Sequence, residues 1–323
     1  MAFFLNKGYV RNNYEKCALA LPPSSVATGK KGSPCNDGVV LIEVDDILEG
    51  GNDRHRALME EFYSKFKCGK RKRLIDLKDE GTLISGIRVR QFPDKHFEWD
   101  MNEYAHNKLQ PIECPRGTIT KTEGDLPETQ LQQVSTCNGQ IGWLGGNGKP
   151  DIACGHSLIA SEFKDKKPSL ITDCNMCVKQ ARAHDYRLKV WPIPVDDIRM
   201  ITFCDSAFDP QGVRHQQGWI VCTTNRYLNL SQKAPVSLAM WNSRKLSRKA
   251  GSPTLVETYA ASYASADMNW CRCILFSLVY GDFDIRTSWP VCRQPPPKQA
   301  TALRTDRPAF SSLVSDSKRS MMR

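Results

Sequence analysis

One long helical segment constrains the fold of this chain more than any other feature. The segment from Ser252 to Gly281 begins with Ser252, a favoured N-cap, and Pro253, which suits the first helical position, and it ends at a glycine. One face of this helix carries Leu255, Tyr259, Ser262, Ala266, Trp270, Ile274 and Leu278. Three β-rich stretches precede it: IRMITFCDSAFD, GWIVCTTN and APVSLAMWNSRK. The order strand, strand, strand, long helix predicts a sheet on which the helix packs.

The first half of the chain predicts shorter elements. Residues 22–37 have loop composition, and DGVVLIEV after them indicates a strand. Apolar residues at helical spacing predict a helix over 53–67 with Asp53 as its N-cap. TLISGIRVRQF alternates like a strand, whereas FEWDMNEYAHNKL is typical of a helix. The remaining expectations are a loop over 113–134, two helical pieces broken by GGNGKP within 137–164, and a helix over 170–190.

The composition favours a polyanionic partner. The net charge is +10 over 323 residues and the pI is about 9.0, which indicates nucleic acid first and a membrane surface second. Solvated surface charge is the alternative. No run approaches the roughly 18 apolar residues of a membrane span, so no membrane partner is expected. The N-terminal stretch has no secretory pattern, which predicts an intracellular protein, cytoplasmic or nuclear.

The 13 cysteines are scattered and odd in number, which indicates reduced, mostly buried thiols. Cys174 and Cys177 have zinc-ligand spacing, but no second pair follows at a finger-like distance. We therefore predict that CNMC packs in a helix. A zinc-stabilised adaptor is the alternative. Cys271 and Cys273 lie in the long helix and are expected in the core.

Two acidic residues of the second half point to a metal site. Asp205 lies inside the first β-rich stretch, between Phe203 and Phe208. Glu257 follows one turn into the long helix, beside small residues that allow that helix to approach a sheet closely. Two carboxylates brought together raise each other's pKa unless a cation separates them. Mg²⁺ prefers such oxygen ligands.

A second acidic pair stands in VVLIEVDDILEG, residues 39–50, where Asp45 and Asp46 interrupt an apolar run that is typical of a buried strand. Burial of two adjacent unpaired carboxylates is expensive. This pattern favours a special role for Asp45 and Asp46, and an Asp-Asp turn without a metal is the alternative.

The stretches FCDSAFD, GVRHQQGWIV and PVSLAMWNSRKLSRKAGSPTLVETYAASYASADMNW resemble the RNase H domain of copia-type retrotransposon polyproteins. The resemblance implies that Asp205 and Glu257 hold the first two catalytic acidic positions. A third is implied at the end of a later strand, for which LVSDSK offers Asp316. These residues are expected to hold Mg²⁺ (or Mn²⁺) and to cleave the RNA of an RNA–DNA hybrid.

The first half is similar to the palm of the reverse transcriptase in the same polyproteins. LIEVDDIL resembles the Tyr-Val-Asp-Asp motif, with Glu43 in place of the tyrosine, and NGQIGWLGGNGKPDIACGHSLIASE resembles the stretch before RNase H. The resemblance, over roughly residues 5–290, implies that Asp45 and Asp46 lie at a tight hairpin turn as catalytic, Mg²⁺-binding residues. The palm's upstream aspartate motif is not in this chain, so the polymerase is expected to be incomplete and the rest of the Pol polyprotein is an expected partner.

The predicted fold is therefore of the α/β (α+β) class, with a truncated palm and thumb followed by an RNase H-like mixed sheet with flanking helices. The expected segments are residues 1–110 for the partial palm and following hairpin, 111–194 for a thumb- or connection-like helical part, and 195–323 for the RNase H-like domain. A disordered Pro-rich insertion is expected over about 290–312.

The substrate is expected to meet basic side chains. The candidates for phosphate contacts are Lys70, Arg71, Arg73, Arg88, Arg214, Arg244, Lys245 and Arg248. Trp219 and Trp241 offer stacking surfaces, but core packing is the favoured interpretation for both. Two functions stay open: a nuclease, and a catalytically dead remnant that only binds nucleic acid.

Overall fold

The computed structural model describes residues 1–24, 35–43, 46–113, 124–209, 215–230, 233–280 and 311–315. The chain forms two compact units. The first comprises Met1–Lys72, Pro194–Met200 and Asp267–Ser311, and the second comprises Arg73–Ile193, Ile201–Ala266 and Ser312–Arg323. Both units contain helices and antiparallel strand pairs, most of which are hairpins. The expected α+β class is therefore confirmed.

The strands in the described part of the chain form three four-stranded sheets. They are β1 (Val10–Arg11), β2 (Ala18–Leu21), β3 (Gly38–Glu43), β4 (Asp46–Gly51), β5 (Thr82–Ile84), β6 (Ile87–Gln91), β7 (Phe97–Asp100), β8 (Leu188–Val190), β9 (Arg199–Ala207), β10 (Gln216–Thr224), β11 (Val236–Lys245) and β12 (Ser311–Ser315). The α-helices are α1 (Ala2–Asn6), α2 (Asp53–Lys65), α3 (Asn102–Asn107), α4 (Glu128–Asn147), α5 (Ala153–Glu162), α6 (Ser169–Ala183) and α7 (Pro253–Val279).

The first unit is an antiparallel meander in the order β1-β2-β3-β4. Helices α1 and α2 supply aromatic side chains to its core, and the rings of Phe4 and Phe62 stack at 4.8 Å. The core comprises Phe3, Phe4, Tyr9, Leu19, Leu21, Val40, Met59 and Phe62. Aromatic pairs of this kind stabilise a small core beyond the area that they bury.

The N-cap of helix α2 lies one residue earlier than the sequence predicts. The N-cap is Asn52, whose side-chain oxygen accepts a hydrogen bond from the His55 N–H, and Asp53 occupies the first helical position. The prediction of Asp53 as the cap is therefore wrong. Both residue types suit an N-cap, and an acidic residue in the first turn is also favourable because it faces the positive end of the helix dipole.

The second unit contains the sheet β5-β6-β7-β8. Residues Phe97–Asp100 form strand β7, so the helix predicted for FEWDMNEYAHNKL is limited to Asn102–Asn107. The prediction fails because Glu98 and Asp100 are both buried, in contacts with basic residues that are distant in sequence. Charged residues in such a stretch suggest an exposed helix face when only local sequence is considered.

Helices α3–α6 enclose the largest cluster of buried apolar residues in the second unit, which includes Leu109, Ile141, Leu144 and Leu170. Helix α4 continues through Gly145 and Gly146 to Asn147, so the break predicted at GGNGKP begins later than expected. Cys174 and Cys177 are buried in α6, which confirms helix packing for CNMC, and burial raises the pKa of the Cys177 thiol to about 11.

The third sheet has the strand order β11-β10-β9-β12. Helix α7 begins as predicted, because Ser252 Oγ accepts a hydrogen bond from the Leu255 N–H at 3.3 Å. On α7, Tyr263 stacks on Trp219 of β10 at 6.0 Å. In the same sheet, the Trp241 indole of β11 donates a hydrogen bond to the Gly145 carbonyl at 2.6 Å, which joins the sheet to α4. Packing thus accounts for both tryptophans.

Candidate functional site

Asp205 lies on the exposed side of β9. Met200, Ile201, Thr202 and Cys204 are buried along this strand, whereas Phe203 and Asp205 are exposed, so burial alternates with the two-residue period of a strand from Thr202 onward. Asp205 Oδ1 accepts a hydrogen bond from the Ser206 N–H at 2.8 Å. The other carboxylate oxygen accepts no hydrogen bond from the described residues, so it is open to a ligand from solvent.

Glu257 lies in the second turn of α7, next to the stripe by which this helix packs. Val256, Ala260 and Ala264 of the stripe are fully buried, as the small side chains in the sequence predict. Glu257 itself is half-buried, and its Oε2 atom is buried without a hydrogen-bond partner among the described residues. A buried carboxylate oxygen without a partner costs free energy unless a cation or a hydrogen-bond donor meets it.

Asp316 lies outside the described residues. The strand β12, which ends one residue before it, is the neighbour of β9 in the sheet. The segment that leads to the third candidate therefore adjoins the strand that carries Asp205. Among the described residues, no three His, Cys, Asp or Glu side chains are grouped closely enough to hold a metal ion.

Asp46 is exposed at the end of a hairpin. Glu43 of β3 pairs with Asp46 of β4, so two residues separate the paired positions, as a tight hairpin requires. The hairpin expected at this place is thus confirmed, while Asp45 lies outside the described residues. Asp46 is exposed, so the apolar run ends in solvent at this end of the hairpin and the cost of burying its carboxylate does not arise.

Several of the candidate basic residues are engaged by other side chains. Arg71 Nη1 donates to Glu60 at 2.6 Å and its guanidinium lies 4.3 Å from the Tyr63 ring centre. Arg88 pairs with Glu103, and Arg73 Nε lies 3.7 Å from Asp76. The pKa of Arg71 is raised, chiefly by its hydrogen bond to Glu60. These three side chains contribute less free charge than the sequence suggests.

The remaining basic candidates differ in their surroundings. Arg244 lies over the rings of Trp219 and Tyr263, and Lys245 is half-buried. Lys70 and Arg248 are exposed. Arg214 lies outside the described residues. The exposed pair is therefore the part of the predicted set that is most available for phosphate contacts.

Sequence reasoning missed a buried polar network in the first unit. The His55 ring is fully buried, with Nδ1 2.8 Å from the Tyr9 hydroxyl and Nε2 2.9 Å from Glu49 Oε2. Burial, as the largest cause, raises the pKa of Tyr9 to about 12, and the hydrogen bond from His55 lowers the pKa of Glu49. A signal was present in Gly38 and Gly51, which pair across β3 and β4 and leave room for the His55 ring.

Comparison with known proteins adds no assignment: no family model matches this chain, and no curated protein is significantly similar to it. None of the helices in the described part of the chain combines the length and apolarity needed to cross a bilayer.

Proposed function

We propose that the region around Asp205 and Glu257 is a Mg²⁺-dependent ribonuclease H of the copia retrotransposon type, which cleaves the RNA strand of RNA–DNA hybrids. The observation that carries the proposal is the exposed Asp205 carboxylate, which keeps one oxygen without a hydrogen bond from the described residues, on a sheet packed against the helix that carries Glu257.

The donor set fits a hard divalent cation. Asp205 and Glu257 offer carboxylate oxygens, which Mg²⁺ and Mn²⁺ prefer, and Asp205 is exposed enough to admit a hydrated ion and a phosphate. The neighbour relation of β12 and β9 supports Asp316 as the third ligand. In this assignment Asp205, Glu257 and Asp316 supply negative charge from a strand, a helix and the end of a second strand.

Mg²⁺ bound by these carboxylates would activate a water for attack on the phosphodiester and stabilise the leaving oxygen. Glu257 would hold its ligand in a fixed direction because α7 is anchored through Ala260 and Ala264. Asp205 would face the substrate from the exposed side of β9. The exposed Arg248 and the net charge of +10 support a polyanionic substrate and strongly salt-dependent binding.

The first unit fits the palm part of the same proposal only incompletely. The hairpin β3–β4 carries Asp46 at its exposed end, which supports a palm-type role for Asp45 and Asp46 in a longer Pol polyprotein. For this chain we propose nuclease activity, which rests on Asp205 and Glu257 and not on the hairpin.

A second candidate function is nucleic-acid binding without cleavage. The observation that favours it is that no group of three metal-ligating side chains is present among the described residues. In this alternative the exposed basic residues would grip a hybrid or another nucleic acid, and the acidic positions would be remnants.

The two functions differ in one assay. The full chain is incubated with Mg²⁺ and a hybrid labelled in its RNA strand, beside Asp205→Asn, Glu257→Gln and the matched control Asp165→Asn, which removes an exposed carboxylate elsewhere in the second unit. The nuclease proposal expects cleavage by the wild type and by Asp165→Asn, and none by the other two. Hybrid binding without cleavage in all four proteins would support the remnant, and cleavage by Asp205→Asn would exclude this site.

A further inference from the structure

Six buried side-chain polar atoms of the second unit have no hydrogen-bond partner among the described residues, and three of them lie at the start of β10 and on α7: His215 Nε2, Gln217 Oε1 and Glu257 Oε2. His215 is 3% exposed and Gln217 is 1% exposed. Buried polar atoms in native proteins are nearly always hydrogen-bonded, to protein or to ordered water. Three such atoms on neighbouring elements therefore indicate a common partner.

Ring contacts fix the start of α7 over the beginning of β10. His215 stacks on Phe208 at 5.1 Å, and Phe208 packs against the apolar cluster that contains Val256 of α7. The Leu246 N–H, from the same cluster, donates to the His215 carbonyl at 2.8 Å. This cluster therefore connects His215 to the start of α7, which carries Val256 and Glu257.

Gln217 lies on the face of β10 that carries Trp219. It stands between His215 and Trp219, and residues two apart on a strand share a face. Trp219 stacks on Tyr263 of α7, so this face is the one that α7 covers. Gln217 is therefore buried on the face that α7 covers, and Glu257 lies in the second turn of that helix.

The hydrogen-bonding capacities of the three atoms match one water molecule. The Asp209 N–H donates to His215 Nδ1 at 3.1 Å, so Nδ1 is the acceptor and the ring proton is on Nε2. Gln217 Oε1 and Glu257 Oε2 are acceptors. One donor and two acceptors are the complement of a water that accepts once and donates twice, and about three hydrogen bonds are typical of a buried water. A cation would be repelled by the Nε2–H group.

We propose that His215, Gln217 and Glu257 bind one buried water molecule, which accepts a hydrogen bond from His215 Nε2–H and donates to Gln217 Oε1 and Glu257 Oε2. The water fixes the direction of the Glu257 carboxylate, which makes His215 and Gln217 positioning residues. The consequence for Mg²⁺ binding rests on the proposed nuclease function, whereas the water site itself does not.

A crystal structure of the full chain tests the water site directly. The expected result is one density peak at hydrogen-bond distance, roughly 2.7–3.2 Å, from all three atoms, unchanged when the crystal is soaked in Mg²⁺. A metal ion coordinated by Gln217 and Glu257, or a direct hydrogen bond between any two of the three side chains, would overturn the proposal.

A double-mutant cycle tests it in solution. His215→Phe keeps the ring that stacks on Phe208, and Gln217→Met keeps a side chain of similar length. Because both residues hold the same water, we expect their effects on the urea unfolding equilibrium of the full chain to be coupled by about tenfold. The control is Gln216→Met on the adjacent position, whose amide donates to Ser243 Oγ at 2.9 Å, and its effect is expected to add to that of His215→Phe. Additive effects for Gln217→Met as well would refute a shared water.

Cleavage assays separate positioning from stability. Gln217→Met is expected to raise the Mg²⁺ concentration for half-maximal hybrid cleavage about tenfold and to recover at saturating Mg²⁺, whereas Gln216→Met leaves it unchanged. If His215→Phe and Gln217→Met are coupled in urea unfolding but the Mg²⁺ requirement of Gln217→Met is unchanged, the positioning role is overturned. Absence of cleavage in the wild type would remove the nuclease function, while the crystal and the cycle still decide the water site.

Discussion

The guanidinium of Arg244 lies 4.1 Å from the ring centre of Tyr263. The same group lies 4.9 Å from the ring of Trp219, so Arg244 of β11 contacts helix α7 through Tyr263 and strand β10 through Trp219. A guanidinium over aromatic rings in a partly desolvated place contributes cation–π attraction as well as apolar packing of its stem. This geometry favours a structural role for a residue that the sequence predicts to bind phosphate.

The first prediction contrasts Arg244 with Arg248. Arg244→Ala is expected to lower the free energy of unfolding by about 1–2 kcal/mol, because it removes the contacts with both rings. Arg248→Ala is expected to leave stability within about 0.5 kcal/mol, since the side chain is exposed, and to lower the salt dependence of hybrid binding by about one unit of log–log slope. Urea unfolding and salt titrations of binding measure the two effects. Unchanged stability with weakened binding in Arg244→Ala would restore its assignment as a phosphate contact.

The second prediction concerns the buried ion pair of β6 and β7. Arg90 Nη1 lies 2.5 Å from Asp100 Oδ2, and both side chains are less than a tenth exposed. Asp100→Ala is expected to cost about 3–5 kcal/mol, because Arg90 would remain charged and buried without its partner. The double variant Arg90→Met with Asp100→Leu is expected to recover much of this loss. Equilibrium unfolding in urea checks both, and a double variant as unstable as Asp100→Ala would contradict the argument.

The third prediction uses two glycines of the first unit. A Cβ atom on Gly38 would lie 2.1 Å from His55 Nδ1, whereas a Cβ on Gly50 would meet nothing within 4 Å. Gly38→Ala is expected to lose about 1–3 kcal/mol by overpacking, and Gly50→Ala is the matched control without such a clash. Addition of His55→Ala to Gly38→Ala is expected to cost less than His55→Ala costs alone, because the clash is gone. Thermal unfolding followed by circular dichroism measures the series, and equal effects at the two glycines would show that the ring is not confined there.

Local signals in the sequence were sufficient to predict some elements. Ser252 and Pro253 determine the start of α7, and the spacing of Cys174 and Cys177 suits one buried face of α6. These features depend on residues within one or two turns of each other, which propensity and periodicity describe well. The hairpin at Asp45 and Asp46 was implied by the resemblance of LIEVDDIL to the palm motif.

The features that were missed depend on partners distant in sequence. Strand β7 contains buried acids, and Glu98 is within 3.0 Å of Lys189 and 3.2 Å of Arg187, which no local pattern reveals. For the candidate site, the sequence indicates Asp205 and Glu257 as acids, but the buried, unpartnered state of Glu257 Oε2 requires the packing of α7.

The last prediction concerns the acid sensitivity of the first unit. The hydrogen bond from His55 lowers the pKa of Glu49 in the folded protein below its ordinary value of 4.5. A carboxyl with a lowered folded pKa stabilises the fold above its unfolded pKa, and this contribution is lost as the pH falls through the folded value. Glu49→Gln is therefore expected to lower stability at pH 7 and to lose less stability than the wild type between about pH 4.5 and pH 3. The exposed Glu43→Gln is the control, and urea unfolding across this pH range makes the comparison. Parallel pH profiles for the wild type and Glu49→Gln would mean that the bond between His55 and Glu49 contributes nothing to the fold.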